Sequence, residues 1–297
     1  MNITKTFKIW FGLSAVLIIV SLFAIFGYGY NTGIDFAGGT ILEIETIGLQ
    51  DSDITPAATI TEAYKTQVDM DVAVQAEGGD RYFIRSAQIN NDQKNAILAE
   101  LKTMFDSAEE LRFETVDPTI GADVVRKAIL AVIAAVIGIL LYVAYAFRKI
   151  PGEVNAWKFS VAAIVALVHD TVILLGMYAI IGKFMGAEID SLFITALLTL
   201  LGFSVHDTIV TFDRVRENLR RRGGEALPTI INDSVIETVI RSLNTSFTLF
   251  VILIAMFFFG GQTLKFFTLA MIIGVVIGTY SSIFIAAPLL LLGHKKS

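Results

Sequence analysis

Six stretches of this 297-residue chain are nearly unbroken runs of apolar side chains: roughly 9 to 28, 127 to 147, 159 to 181, 191 to 212, 244 to 260 and 266 to 292. Runs of about 18 or more such residues are long enough to cross the hydrocarbon core of a bilayer as helices, so the pattern predicts six spans. Between the first two runs the period changes. Thr40 to Thr46 alternates as a strand does, Thr55 to Thr66 reads as a helix, and Asp71 to Ala76 and Arg81 to Ser86 read as strands joined at Gly78-Gly79-Asp80. Asn91 to Phe105 then carries Ile97, Leu98, Leu101, Met104 and Phe105 on one helical face, and Leu111 to Val116 closes the series as a strand. The order β-α-β-β-α-β is that of a ferredoxin-like split motif. The expected fold is thus a polytopic α-helical membrane protein of six transmembrane helices, with one α+β domain between helices 1 and 2.

Three regions follow: residues 1–28 (N-terminal stub and helix 1), 29–125 (the α+β domain) and 126–297 (five further spans with a basic loop at 213–243). The loop opens with RVRENLRRRGG and continues with Ile230, Ile231, Val235, Ile236, Val239, Ile240 and Leu243 at helical spacing. That stripe predicts an interfacial helix lying on the cytoplasmic leaflet, with anionic lipids met by the basic run before it.

Charge changes the picture by giving it an orientation. Hydrophobic residues make up 55% of the chain and charged ones 17%, with a mean hydropathy of +0.68, which excludes an ordinary soluble protein. With both termini inside, the cytoplasmic flanks gather Lys5, Lys8, Arg148, Lys149, Lys158, Arg214, Arg216, Arg220, Arg221, Arg222, Arg241, Lys295 and Lys296. Lys183 and Lys265 fall in short outer loops, and Arg126 and Lys127 run against the rule. The imbalance predicts an N-in, C-in membrane protein with the large domain on the outer side. Residues 28 to 125 carry a net −12, an acidic body opposite a basic inner rim. The first span lacks a small-x-small cleavage site at its end and is expected to remain as an anchor. Without a single Cys, the outer domain is held by packing rather than disulfides.

Chemistry concentrates inside the spans. Asp207, beside His206 and Thr208, interrupts the fourth run, and an ionisable residue in a membrane helix points by default to an ion or proton relay or to a helix-pairing site. Burial disfavours a carboxylate's charge and a neighbouring Arg favours it, so a carboxylate whose cation can move away changes its proton affinity with shape. Arg241, at the inner end of the fifth span, is the candidate cation for Asp207, with a snorkelling anchor as its alternative. His169 and Asp170 lie near the middle of the third span, as a second relay or a structural clamp. VHDTVI (168–173) and VHDTIV (205–210) echo each other in adjacent spans. Adjacent His and Asp do not share a helix face, which argues against a metal site. Gly274 and Gly278 form a G-x-x-x-G suited to close helix packing. No nucleophile elbow, phosphate loop or Walker signature is present, so the chain reads as a non-enzyme without cofactor, drawing on an H+ or Na+ gradient.

GFSVHDTIVTFDRVREN (202–218), GIDFAGGT (33–40), VDPTIGADV (116–124), RSLNTS (241–246) and GVVIGTYSSIFIA (274–286) occur in this order. Together they resemble the SecF branch of the SecD/SecF family of protein-export membrane proteins, in the resistance-nodulation-division superfamily. The resemblance implies six spans and an outer domain, pairing with SecD at the SecYEG channel, YajC as a further partner, and use of proton motive force on translocating preproteins. It assigns the ion relay to Asp207 and Arg241 and a structural or gating role to Asp213 and Arg214. Asp117 stands where the family usually has Gly, and His206 where Asn is common. Nucleic acid has no place in this reading. The competing readings are half of a small-solute or lipid exporter of the same superfamily, and a sensor in which Asp207 only packs helices.

Overall fold

The structure is a computed structural model, and it describes residues 3–49, 55–76, 78–148, 156–222 and 224–292. Lys149, Lys295 and Lys296, counted above for orientation, lie outside the described residues. The elements in chain order are α1 (Ile3–Tyr28), β1 (Asn31–Thr32), α2 (Ile34–Ala37), β2 (Gly39–Leu49), α3 (Pro56–Val68), β3 (Ala73–Ala76), β4 (Arg81–Ser86), α4 (Asn91–Met104), β5 (Phe105–Val116), α5 (Pro118–Ala146), α6 (Ala156–Met185), β6 (Glu188–Ile189), α7 (Ser191–Arg221), α8 (Leu227–Phe259), α9 (Gln262–Ser281), a π-helical turn (Ser282–Ala286) and α10 (Ala287–Leu289). They form two units, one of residues 1–31 and 129–297, the other of residues 32–128.

In the second unit the strands lie in the order β3-β4-β2-β5, with every neighbouring pair antiparallel. β2 and β3 therefore run parallel with β4 between them, the interleaving of a split βαβ unit. Alternation sends Leu42 and Ile44 of β2 and Tyr82 and Ile84 of β4 to one face, where Ile60, Ala63 and Tyr64 of α3 and Ile97 and Leu101 of α4 cover them. α3 starts on Thr55, whose hydroxyl accepts from Ala58 N. α4 starts on a capping box in which Asn90 and Gln93 satisfy each other's backbone amides at 2.8 and 2.9 Å. Thr40 ties the sheet to the next loop, accepting from Ile89 N at 3.0 Å and donating to Thr115 at 3.1 Å. β5 begins at Phe105, six residues before the expected strand. Its first half, Asp106 to Glu110, is polar enough to read as a loop, and it pairs with β2 across a bulge between Glu43 and Ile44.

Two of the sequence blocks noted above pack on each other in this unit. A Cβ on Gly38 (φ +74°) would fall 2.6 Å from Pro118 Cα, and one on Gly121 would fall 2.7 Å from the Phe36 carbonyl. Glycine is required at both positions because backbone meets backbone there.

Among the described residues six helices are long and apolar enough to cross a membrane: Thr6–Tyr28, Pro118–Ala146, Trp157–Met185, Ser191–Arg221, Leu227–Phe259 and Thr263–Leu289, the second of which begins within residues 32–128. α6, α7 and α9 make the interior, with α1 packed on α6 and α8 on α7 and α9. Close approach depends on small residues: a Cβ on Gly274 would lie 2.0 Å from a Leu200 methyl, one on Gly278 3.1 Å from Ser204 Cβ, and one on Gly176 2.2 Å from Ser21 Cβ. Gly274 and Gly278 thus let α9 seat on α7, as the G-x-x-x-G spacing predicts. Phe147, Phe159 and Phe212 close one end of the bundle, their ring centroids 5.1–6.0 Å apart.

The interfacial helix is not observed. α8 is one continuous 33-residue helix from Leu227, and Ile230, Ile231, Ser234, Val235 and Thr238 of its first turns are buried rather than free to lie on a leaflet. α7 likewise continues to Arg221, and the two extensions pair as a hairpin. Much of the basic run is engaged within the protein: Arg214 with Glu217 and Glu237, Arg216 with Asp213, Arg221 with Glu217, and Arg222 with Glu225 and Asp233. These carboxylates offset much of the charge that the basic run would present to anionic headgroups.

Candidate intramembrane ion site

Asp207 lies near the middle of α7 and is 6% exposed. Its two oxygens accept from two different helices, Ser242 of α8 at 2.5 Å on Oδ1 and Ser282 at the start of the π-helical turn at 2.6 Å on Oδ2. Serine suits both positions because a short hydroxyl side chain lets helices approach and still donates. The turn at Ser282–Ala286 widens the helix by one residue per ring, a device common at functional sites. The neighbouring Ser246 and Thr279 hydroxyls meet at 2.6 Å, joining α8 to α9. Thr208 is buried beside Asp207.

Arg241 precedes Ser242 and so stands near the depth expected for it, but its side chain points elsewhere. It is exposed and lines a polar cleft with Val210, Asp213, Arg214, Glu217, Glu237 and Thr238. No ion pair joins it to Asp207. The cleft, of about 330 Å³, lies about one helical turn from the acid, because Val210 follows Asp207 by three residues and Thr238 precedes Ser242 by four. Asp213 and Arg214 are placed at this cleft and not on each other. Arg214 bridges α7 to Glu237 of α8, and Asn218 donates to both Glu237 and Ser234 at 3.0 Å.

His206 is exposed on another face of α7 and takes no part in the Asp207 site. His169 and Asp170 are both buried. Asp170 accepts from Ser204 of α7 at 2.5 Å and Ser281 of α9 at 2.7 Å, and its Oδ1 lies 2.8 Å from His169 Nδ1. The sequence echo is therefore structural in its acids and not in its histidines: Asp170 takes Ser281, and Asp207 takes Ser282. Among the described residues no three His, Asp or Glu side chains converge where a metal could sit.

Sequence reasoning singled out the acids but not the hydroxyls that hold them. Ser204, Ser242, Ser281 and Ser282 lie within the sequence blocks quoted above but are not distinguished there from their neighbours, and Ser14 lies outside every block. The available signal was a hydroxyl within an apolar run at the depth of an acid on a neighbouring span.

Comparisons agree with this architecture. The pattern described as "Protein export membrane protein SecD/SecF, C-terminal" matches residues 96–296. A protein translocase subunit SecF of Thermobaculum terrenum is 40% identical, with 96% of this chain and 91% of that protein covered. That of Anaerolinea thermophila is 37% identical, covering 98% and 94%. A protein translocase subunit SecDF of Brucella abortus is 34% identical over 93% of this chain but 35% of its own length. The crystal structure of SecDF from Thermus thermophilus, described as a translocon-associated membrane protein, superposes with a TM-score of 0.80 at 28% identity, covering 98% of this chain and 38% of that one. The chain thus spans about two fifths of the solved SecDF chain. A match across most of the membrane unit, with curated relatives at up to 40% identity over nearly the full length, means that this multi-pass chain belongs to the SecD/SecF family of protein-export membrane proteins.

Proposed function

We propose that the chain works as a SecF-type subunit of a protein translocase, in which Asp207 binds the ion whose downhill movement drives a late step of preprotein export. The observation that carries this reading is a buried carboxylate held by two hydroxyl donors and by no cation. Two hydroxyls stabilise a carboxylate but leave its charge uncompensated, and an uncompensated charge in a bilayer is costly. A proton or Na+ supplies the missing positive charge. The polar cleft one turn away supports access from one side, and Arg241 on its wall is the fixed cation that a change of α8 against α7 brings to Asp207 or removes. An ion crossing 100 mV releases about 2.3 kcal/mol, enough to bias such a rearrangement.

A SecD-type subunit is the partner supported most directly, since the Brucella and Thermus relatives carry SecD and SecF together under the name SecDF. SecYEG, YajC and the translocating preprotein belong to the same reading, in a bacterial cytoplasmic membrane with both termini inside. The subunit acts as an energy coupler rather than an enzyme.

The test is preprotein translocation into inverted vesicles holding this chain and its SecD partner at saturating ATP, with and without an imposed proton or sodium gradient. Wild type is expected to complete translocation faster with the gradient, and Asp207→Asn, which keeps the shape but cannot titrate, is expected to lose that acceleration while still assembling. Equal acceleration in both would sink the reading and leave Asp207 as a helix-packing residue.

A further inference from the structure

His169 and Asp170 have no role in the Asp207 reading, yet they sit at the centre of a hydrogen-bond chain that joins four helices. From α1, the Trp10 carbonyl accepts from Tyr280 Oη at 2.9 Å. Tyr280 Oη is 2.9 Å from Ser14 Oγ, Ser14 Oγ is 3.0 Å from His169 Nε2, and His169 Nδ1 is 2.8 Å from Asp170 Oδ1. Asp170 Oδ2 accepts from Ser204 and Ser281.

Each contact needs one proton, and the donors can be counted. A carbonyl only accepts, so Tyr280 spends its single proton on Trp10. Ser14 must then donate to Tyr280, and its own oxygen must accept, so Nε2 of His169 carries a proton. The contact between Nδ1 and Oδ1 still lacks one. It is filled either by an imidazolium facing a carboxylate or by a neutral imidazole facing a carboxylic acid, and both hold the same number of protons. Without that proton a nitrogen lone pair would face a carboxylate oxygen at 2.8 Å in a buried site, an unpaired arrangement that interiors avoid.

The surroundings leave the proton as the compensating charge. The groups facing the pair are Ser14 from α1, Ser204 from α7, and Tyr280 and Ser281 from α9. Of these Tyr280 alone is titratable, and its proton is already placed. On α7, His206 is exposed and Asp207 is turned to Ser242 and Ser282; on α1, Lys8 makes no contact with the pair, and the π-helical turn brings no ionisable side chain. Among the described residues no Lys or Arg forms an ion pair with Asp170. A cavity of about 10 Å³ beside Asp170, walled by Leu167, Leu197, Leu201 and Gly274, has about the room of one water, a carrier for proton exchange.

We propose that His169 and Asp170 form a second intramembrane proton-binding site, whose shared proton between Nδ1 and Oδ1 couples the Ser14 clamp on α1 to the contacts of Asp170 with Ser204 of α7 and Ser281 of α9. When the proton leaves, taken up by a water in that cavity, the products are neutral Nε2–H imidazole and the Asp170 carboxylate; the link between His169 and Asp170 is lost, and the Ser14 contact is uncoupled from those of Ser204 and Ser281. The site stands whether or not Asp207 carries the transported ion.

The chain has three histidines, His169, His206 and His294, so a 15N-histidine solid-state NMR spectrum of the full protein in lipid bilayers is readable residue by residue. Infrared spectra of the same samples report protonated carboxyl groups. The proposal expects, at neutral pH, either a doubly protonated His169 or a protonated-carboxyl band that disappears in Asp170→Asn. It also expects that Ser14→Ala, which removes the α1 link, moves the pH midpoint of that signal by about one unit or more. A neutral His169 together with an ionised Asp170 from about pH 5 to 8, the range over which an ordinary histidine titrates, overturns the site. A midpoint unmoved by Ser14→Ala overturns the clamp. If Asp170→Asn does not fold, His206→Gln and His294→Gln leave His169 as the one histidine signal, and selective 13C-aspartate labelling reads the carboxyl state in the chain with His169 and Asp170 intact.

Discussion

Ser281 and Ser282 are neighbours in the chain and serve different acids, Asp170 on α6 and Asp207 on α7. Adjacent helical positions point about 100° apart, so one short segment at the onset of the π-helical turn can reach two helices at once. This works because α9 comes close enough, and Gly274 sets that distance. Gly274→Val puts carbon where Leu200 already lies, and the overpacking is expected to cost about 1–3 kcal/mol or more. A lower thermal midpoint in detergent, with a milder drop for Gly274→Ala, checks it. Asp117 acts at another scale of burial: its carboxylate accepts from Thr119 N at 2.8 Å and from the Thr119 hydroxyl at 2.5 Å at the start of α5. Those donors hold its pKa below the usual carboxylate value. A lowered folded pKa stabilises the folded form above the unfolded value near 4, and that contribution is lost as pH falls through the folded one. Amide protection in the first turn of α5, the exchange rate taken relative to its intrinsic value at each pH, is therefore expected to fall as pH drops below about 4. In Asp117→Ala the protection is expected to be weak at every pH, without that step.

At the level of elements, the α7–α8 hairpin shows what periodicity conveys and what it hides. Strands β2 and β4 were legible because one face is buried and the other polar, and the spans were legible because their length exceeds a bilayer. The first half of α8 was misread because its apolar stripe faces α7, and a stripe on a partner helix and a stripe on a lipid surface look alike in sequence. What separates them is cross-helix pairing: Arg214 with Glu237, Asn218 with Ser234 and Glu237, Arg222 with Asp233. Arg222 and Glu225 pair at 2.7 Å, which raises the pKa of the guanidinium and lowers that of the carboxylate. The site was legible to the same degree. An acid in a span announces itself by its cost, whereas its donors are ordinary serines whose partners depend on how helices rotate. Arg241 illustrates the gap, since its position fixes its depth but not its direction. Glu237→Ala removes the acceptor shared by Arg214 and Asn218, and Arg214→Ala removes the donor, so the two are expected to destabilise non-additively. Limited proteolysis between α7 and α8 reads this out, and the difference between single and double variants should shrink at high salt, because these groups are partly exposed.

At the scale of the whole molecule, an acidic stretch and membrane spans with most of their Lys and Arg in one set of loops predict an orientation across the membrane. A net −12 on residues 28 to 125 and the Lys and Arg residues near Arg148, Lys158 and Arg214 to Arg222 sit in different loops, which the positive-inside tendency assigns to opposite sides. The expectation is sharper than a charge count because both sides offer an exposed, substitutable position. Asp80 lies exposed beside Gly78 (φ +83°) and Gly79 (φ +65°) in the β3–β4 turn, and Glu225 lies exposed between α7 and α8. The chain has no Cys, so a single introduced thiol is labelled without background. Asn is tolerated where φ is positive and a bulkier residue is strained, so the outer label is better placed at the adjoining Asp80→Cys. In intact cells a membrane-impermeant maleimide is expected to label Asp80→Cys once the outer envelope is opened, and to label Glu225→Cys only after the cytoplasmic membrane is breached. The reverse order would invert the molecule. The Arg241 cleft, walled by Arg214 and Glu217 of the same hairpin, would then open to the outside, and an inward-moving ion would meet that cleft before Asp207 rather than after it.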